Sequence, residues 1–217
     1  MKKILLLGDY KNAGWHPLRG VDEEIRRILE GFDLTVCEEY PYLKLDDLQT
    51  YDLVINYIDA WDKRAGSDFA GALLGYVAAG GSLLTLHSGI IADSLPEVEQ
   101  LIGARFTGHP PREVIEYVYA GAHPIMKEVQ SFSIDEEPYQ LQMDNLANVH
   151  IIMDYVYKGA KYPAAWVRGY GKGKSCYLSM GHEPASFANE GFANLLRRTA
   201  LWCAGELVPP GTGAEVR

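Results

Sequence analysis

Five side chains that could carry chemistry stand in loops and turns of this chain, most of them after a predicted strand: His16, His87, His109, Glu137 and His182. Imidazoles near a carboxylate suit general acid–base catalysis, because histidine titrates near neutral pH. The same groups are ligands that a divalent metal such as zinc accepts. Their spacing is dispersed and forms no compact ligand motif. The sequence therefore leaves acid–base and metal-assisted chemistry both open.

His87 has the most distinctive setting of the five. It follows a short apolar run at 82–86, and Gly89 comes two residues later. This spacing is typical of a nucleophile elbow, in which a sharp turn exposes one side chain at the carboxyl end of a strand. We expect Gly89 to relieve the backbone strain of that turn. The alternative is a histidine that only hydrogen-bonds a neighbouring loop.

The first half of the chain alternates apolar runs with helical patterns, which predicts the order β-α-β-β-α-β. The predicted strands are 4–7, 34–36, 53–57 and 82–86, with helices ending near Gly31 and Gly80. Such alternation favours a parallel sheet with right-handed crossovers. Since parallel strands end at one edge, His16 and His87 should meet there. His182 joins them if its strand runs the same way, so we expect one pocket above the carboxyl ends of the central strands.

The second half is predicted to add shorter and partly antiparallel elements. A helix is expected at 95–102, antiparallel or edge strands at 113–119, 131–134 and 149–153, a hairpin at 164–168 and 175–179, and a final helix ending at Gly205. We interpret 1–206 as a single α/β domain and 207–217 as a polar tail. The residue pattern predicts an α/β fold with a parallel sheet and added antiparallel or edge strands.

Composition narrows the classes of function. The chain has 217 residues and a net charge of −9, which argues against nucleic acid as a partner but not against a neutral sugar. Its three cysteines lie far apart in apolar segments, so we interpret them as reduced core residues of a cytoplasmic protein. The apolar run after Met1 is too short for a signal core or a membrane span. The composition does not decide between a monomer and a homo-oligomer.

The segment Asp135-Glu136-Glu137 carries the candidate carboxylate. Side chains alternate in an extended segment, so Asp135 and Glu137 should share a face and Glu136 should point away. The alternative is a solvated acidic turn. Three aromatic side chains are candidates for binding a sugar ring: Trp15, Tyr139 and Trp166. For Tyr139 and Trp166, a place in the core is the alternative.

Taken together, these segments resemble the ThuA-like family of trehalose-utilisation proteins, within the class I glutamine amidotransferase-like superfamily. The matching pieces run in order from Gly80-Gly81 and His87-Ser88-Gly89, through Phe106 with His109-Pro110, His123-Pro124-Ile125 and Glu137-Pro138-Tyr139, to Tyr162-Pro163 with Trp166, Tyr170–Lys174, Gly181-His182 and Phe187 to Trp202. The resemblance spans most of the chain from Lys3 to Gly205.

The resemblance implies a flavodoxin-like three-layer α/β/α sandwich, with a mostly parallel central sheet and added antiparallel edge strands. It also implies a role in the metabolism of a disaccharide or sugar derivative. The amidotransferase branch uses a cysteine at the elbow, where this chain has His87, and Thr85 replaces the usual preceding glycine. Glutaminase chemistry through a thiolate is therefore disfavoured. Two hypotheses for the function of the chain follow, namely a sugar-modifying enzyme and a non-catalytic sugar-binding or regulatory domain.

Overall fold

The computed structural model describes residues 1–59, 61–92 and 95–207. Its strands are β1 to β11 in chain order: Lys3–Leu7, Asp33–Cys37, Leu53–Asn56, Ser82–Leu86, Ala104–Gly108, Glu113–Tyr119, Phe132–Glu136, Gln140–Met143, His150–Tyr157, Ala160–Tyr170 and Gly173–Leu178. Its α-helices are α1 to α7: Val21–Ile28, Leu45–Leu48, Trp61–Arg64, Ser67–Ala79, Pro96–Ile102, Pro184–Phe187 and Glu190–Cys203. The tail predicted at 207–217 lies outside the described residues, apart from Leu207.

Nine strands form the main sheet, in the order β2-β1-β3-β4-β11-β10-β9-β6-β7. The first five are parallel to one another, and each later neighbour is antiparallel. The parallel half has the 2-1-3-4-5 order of flavodoxin-like sheets, with β11 in the fifth place. The sandwich predicted from sequence, with its antiparallel additions, is confirmed.

Burial explains why the central parallel strands are mostly apolar. All residues of β3 and β4 are buried, because helices cover both faces of the sheet. One core packs β1 and β3 against α1 and α7, and the other packs their opposite faces against α4 and α5. Among the described residues, no helix is long and apolar enough to cross a membrane.

The second half differs from its predicted outline in extent. The strand predicted at 149–153 continues to Tyr157, and the hairpin strand predicted at 164–168 already begins at Ala160. A register shift between Pro163 and Ala165 lets the proline sit within a strand. A separate pair, β5 with β8, was not predicted.

The turn after β4 is built differently from the prediction. The residue with the left-handed backbone is His87 itself, at φ 39°, and not Gly89. Gly89 is required for another reason, because a Cβ there would lie 2.5 Å from the backbone oxygen of Asn56. The Gly89 carbonyl also accepts hydrogen bonds from the side chains of Asn56 and Trp61. The elbow therefore packs directly against the end of β3.

Replacing Gly89 by alanine should therefore destabilise the fold. We expect Gly89→Ala to lower the free energy of unfolding by about 1–3 kcal/mol, the usual cost of forcing an extra methyl group into a packed site. Gly71→Ala is the matched control, since nothing lies within 4 Å of a Cβ at that helical position. It should stabilise α4 by about 0.5–1 kcal/mol. Urea denaturation of both variants tests this, and equal midpoints would contradict it.

Candidate functional site

Three of the predicted histidines meet at the carboxyl edge of the parallel strands. The ring centroids of His16 and His87 are 4.7 Å apart, those of His16 and His182 are 5.0 Å apart, and those of His87 and His182 are 5.4 Å apart. His16 follows β1, His87 follows β4 and His182 follows β11. The parallel direction of these three strands is what brings the rings together.

His16 is fixed by a carboxylate from the neighbouring strand. Its Nδ1 lies 2.6 Å from Oδ1 of Asp59, which follows β3, and both side chains are almost completely buried. The other oxygen of Asp59 accepts from the backbone N–H groups of Gly14 and Trp15. Burial would raise the pKa of Asp59, but His16 and the amide of Trp15 outweigh it and hold the pKa below its ordinary value. Asp59 is therefore ionised at neutral pH.

His87 is fixed by a backbone carbonyl. Its Nδ1 lies 2.7 Å from the carbonyl oxygen of Ser179, just after β11. A carbonyl oxygen only accepts, so Nδ1 carries the proton and Nε2 of the neutral ring is bare. Nε2 is buried and has no hydrogen-bond partner among the described residues. On its other side, the His87 ring stacks on Tyr139 with a centroid distance of 4.3 Å.

The turn that carries His182 is held by two buried side chains. Glu136 Oε1 accepts from the backbone N–H groups of Gly181, at 2.9 Å, and His182, at 3.3 Å. Tyr57 donates its hydroxyl proton to the carbonyl of Gly181. Burial, and then the nearby His87, lower the pKa of His182. Glu136 is fully buried, so the interpretation of this acidic segment as a solvated turn is wrong.

Glu137 stands at the centre of the cluster. Its Oε2 lies 3.8 Å from His16 Nε2, 3.5 Å from His87 Nε2 and 3.4 Å from His182 Nδ1. Burial would raise the pKa of Glu137, but the surrounding imidazoles outweigh it and lower the pKa to about 2. The carboxylate can therefore accept a hydrogen bond or hold a cation, but it has no proton to donate at neutral pH.

His109 lies at the mouth of the cluster. Its Nε2 is 3.7 Å from Oε1 of Glu137, and its side chain is 37% exposed. His182 is 21% exposed, whereas His16 and His87 are nearly inaccessible. A ligand from solvent would therefore meet His109, His182 and Glu137 first.

The three aromatic candidates have different positions. Trp15 is 83% exposed on the loop that carries His16, and Tyr139 is buried behind His87. Trp166 is fully buried in β10, and its indole N–H donates to the carbonyl of Ile102. The structure thus leaves Trp15 exposed on the loop that carries His16. It buries Tyr139 and Trp166, so neither offers a surface that a sugar could reach.

Two acidic residues of the site were missed by the sequence analysis. Asp59 follows β3, and the reasoning that selected His16 and His87 would also have selected it. Glu136 carried no such signal, because its contacts join β7 to the turn after β11. Asp59 and Glu136 support a cluster of four other side chains. In it, His16, His87, Glu137 and His182 each offer one donor atom, and these atoms all lie within 4.8 Å of one another. The four could hold a metal ion.

Glu136 should be needed for stability. Glu136→Ala leaves the buried amides of Gly181 and His182 without an acceptor, at a cost of about 1–3 kcal/mol for each unsatisfied group. Asp135→Ala, at a neighbouring residue whose side chain is 55% exposed, should change the free energy of unfolding by less than about 0.5 kcal/mol. Urea denaturation of the two variants provides the measurement. Similar values for both would show that Glu136 does not support the turn.

Comparison with known proteins gives one family and one fold. The model of the family described as "ThuA: Trehalose utilisation" matches residues 5–203. A comparison with curated proteins finds no match. A ThuA-like protein from Parabacteroides merdae has a TM-score of 0.79 at 18% identity, covering 96% of this chain and 92% of that one. Another, from Bacteroides uniformis, has a TM-score of 0.75 at 17% identity, covering 93% and 91%.

A more distant likeness is to part of a larger enzyme. A β-galactosidase from Bacillus circulans has a TM-score of 0.63 at 18% identity, and the match covers 94% of this chain but 31% of that one. At these identities the structural likeness shows the fold alone, whereas the family match runs through almost the whole chain. The chain belongs to the ThuA trehalose-utilisation family.

Proposed function

We propose that this protein is an enzyme of carbohydrate metabolism that modifies a disaccharide or sugar derivative at the histidine–glutamate cluster. One observation carries the proposal, namely that four imidazoles and Glu137, remote in sequence, come within contact distance at the edge where α/β sheets form ligand sites. The family supports a sugar derivative as the substrate class. A neutral polyhydroxylated ligand also agrees with a chain whose net charge is −9.

The accessible side chains of the cluster have different chemical roles in this proposal. His109 and His182 are accessible, and an imidazole can take a proton from a sugar hydroxyl or from an adjacent carbon and return it. Glu137 is ionised and stabilises positive charge that develops next to it. The indole of Trp15 is exposed on the loop that carries His16, and an exposed aromatic ring suits stacking on a sugar ring.

Thiolate glutaminase chemistry is not supported by the positions of the cysteines. Cys176 and Cys203 are buried with their sulfur atoms 3.5 Å apart, where β11 meets α7. Burial raises the pKa of Cys176 and that of Cys37, which makes both thiols poor nucleophiles at neutral pH. The elbow position itself carries His87. The competing proposal is a non-catalytic sugar-binding domain that uses the same cluster without turnover.

A substrate screen with a matched pair of variants separates these two proposals. The purified protein is incubated with disaccharides and keto-sugar derivatives, and products are measured by mass spectrometry. Glu137→Gln should keep the fold and lower kcat about 10²- to 10⁴-fold, the usual contribution of a positioned catalytic group. Asp135→Asn, in the same segment but exposed to solvent, should leave kcat unchanged.

Two results would count against the enzyme. If the wild type binds a sugar in the screen but releases it unchanged, the binding-domain proposal replaces it. If a product is found and Glu137→Gln and Asp135→Asn are equally active, Glu137 has no part in turnover.

A further inference from the structure

We propose that the buried cluster is a mononuclear metal centre for zinc or a chemically similar first-row divalent ion. The ligand atoms are His16 Nε2, His87 Nε2, His182 Nδ1 and Glu137 Oε2. The proposal deepens the proposed function by assigning a cofactor to the same cluster. It rests on that function only for the use of the ion in catalysis.

The spacing of the donor atoms fits such an ion. Zinc bonds of 2.0–2.2 Å in a tetrahedron place neighbouring ligand atoms about 3.4 Å apart. Here His16 Nε2 and His182 Nδ1 are 3.2 Å apart. The three distances from Glu137 Oε2 are 3.4, 3.5 and 3.8 Å. An ion between the four atoms would reach each of them with small side-chain adjustments.

The hydrogen bonds around the cluster leave bare nitrogens facing its centre. Asp59 accepts the Nδ1 proton of His16, and the Ser179 carbonyl accepts the Nδ1 proton of His87. In each neutral ring, the lone pair of Nε2 then points inward. His87 Nε2 has no hydrogen-bond partner among the described residues, although it is buried. Inward-facing lone pairs beside the carboxylate of Glu137 form a donor set that suits a cation.

The outer contacts are those that metal-binding histidines commonly make. A ligating imidazole usually donates its second N–H to a carboxylate or a backbone carbonyl, which fixes the ring and its tautomer. His16 has the carboxylate of Asp59, and His87 has the carbonyl of Ser179. The backbone of His182 is held by Glu136. Asp59 is accordingly a positioning residue, which touches the ligand His16 and not the ion.

The donor set selects the kind of metal. Three imidazoles and one carboxylate suit zinc and other first-row transition ions, whereas magnesium and calcium prefer oxygen ligands. Of the four ligand side chains, Glu137 and His182 are the partly exposed ones. The solvent side of the ion therefore lies between them and next to His109. A substrate hydroxyl or a water molecule would enter there, as in catalytic zinc sites that expand their coordination.

Metal content and metal binding test this without any substrate. The full-length protein is stripped with a chelator, titrated with Zn²⁺ against a competing chelator, and reloaded with Co²⁺ for its visible absorption spectrum. We expect about one ion per chain, a tetrahedral or five-coordinate Co²⁺ spectrum, and a higher Tm on adding Zn²⁺, because an ion that binds the folded state stabilises it.

Variants locate the site. His87→Asn removes one ligand while keeping a residue that tolerates a positive φ, and it should weaken Zn²⁺ binding strongly. Asp59→Asn keeps the shape of the side chain and should weaken Zn²⁺ binding about 10- to 100-fold, as loss of an outer-shell partner does. His150→Gln is the control, since that imidazole bonds the carbonyl of Ala122 away from the cluster. Circular dichroism of each apo variant shows that it is folded.

The possible failures are distinguishable. The metal centre is overturned if the folded wild type takes up no Zn²⁺. It is also overturned if His87→Asn and Glu137→Gln bind Zn²⁺ as tightly as the wild type does. Turnover of a sugar by the metal-stripped protein overturns the use of the ion in catalysis but leaves the proposed function standing. A stoichiometric ion in a protein that turns over nothing in the screen supports the centre and counts against the enzyme. If Asp59→Asn binds Zn²⁺ like the wild type, the positioning role of Asp59 is refuted.

Discussion

The hydrogen bond between Asp59 and His16 joins the ends of β3 and β1, where the order of the sheet reverses. Connections leave these two strands toward opposite sides, so a crevice opens between their carboxyl ends. Asp59 bridges that crevice with one oxygen on the imidazole and the other on the amides of Gly14 and Trp15. One buried charge thus orients a ring of the candidate site and shapes the loop that carries the exposed Trp15.

The antiparallel half of the sheet completes the site by curling back over it. β7 is four places from β11, which would separate the two strands by about 19 Å in a flat sheet at ordinary strand spacing. Yet Glu136, at the end of β7, accepts the N–H of Gly181 at 2.9 Å. Twist and curvature over four strands therefore deliver Glu137 to the histidines. Without these added strands, the parallel half would present three imidazoles and no central carboxylate.

These two halves differ in how far the sequence could predict them. His16, His87 and His182 were found because each follows a strand, and parallel strands end together regardless of the details of packing. Asp59 obeys the same rule and could have been included. The roles of Glu136 and Trp166 depend on curvature and on which face of a long strand is buried, and neither leaves a local pattern. At His87, the spacing indicated the turn. It did not show that His87 takes the positive φ, nor that Gly89 is needed because its Cα packs against Asn56.

The cluster also lowers the stability of the folded state. His87 has a positive φ, which costs a residue with a Cβ some backbone energy, and its Nε2 is buried without a hydrogen-bond partner among the described residues. Direct contacts from residues that are distant in the sequence hold this arrangement in place. They include the Ser179 carbonyl, the Tyr139 ring and the Asn56 amide, which bonds the carbonyl of Gly89. A residue kept in an unfavourable conformation by so many independent contacts is typical of a functional site. The structure that holds these lone pairs together therefore indicates a functional site more strongly than the number of histidines does.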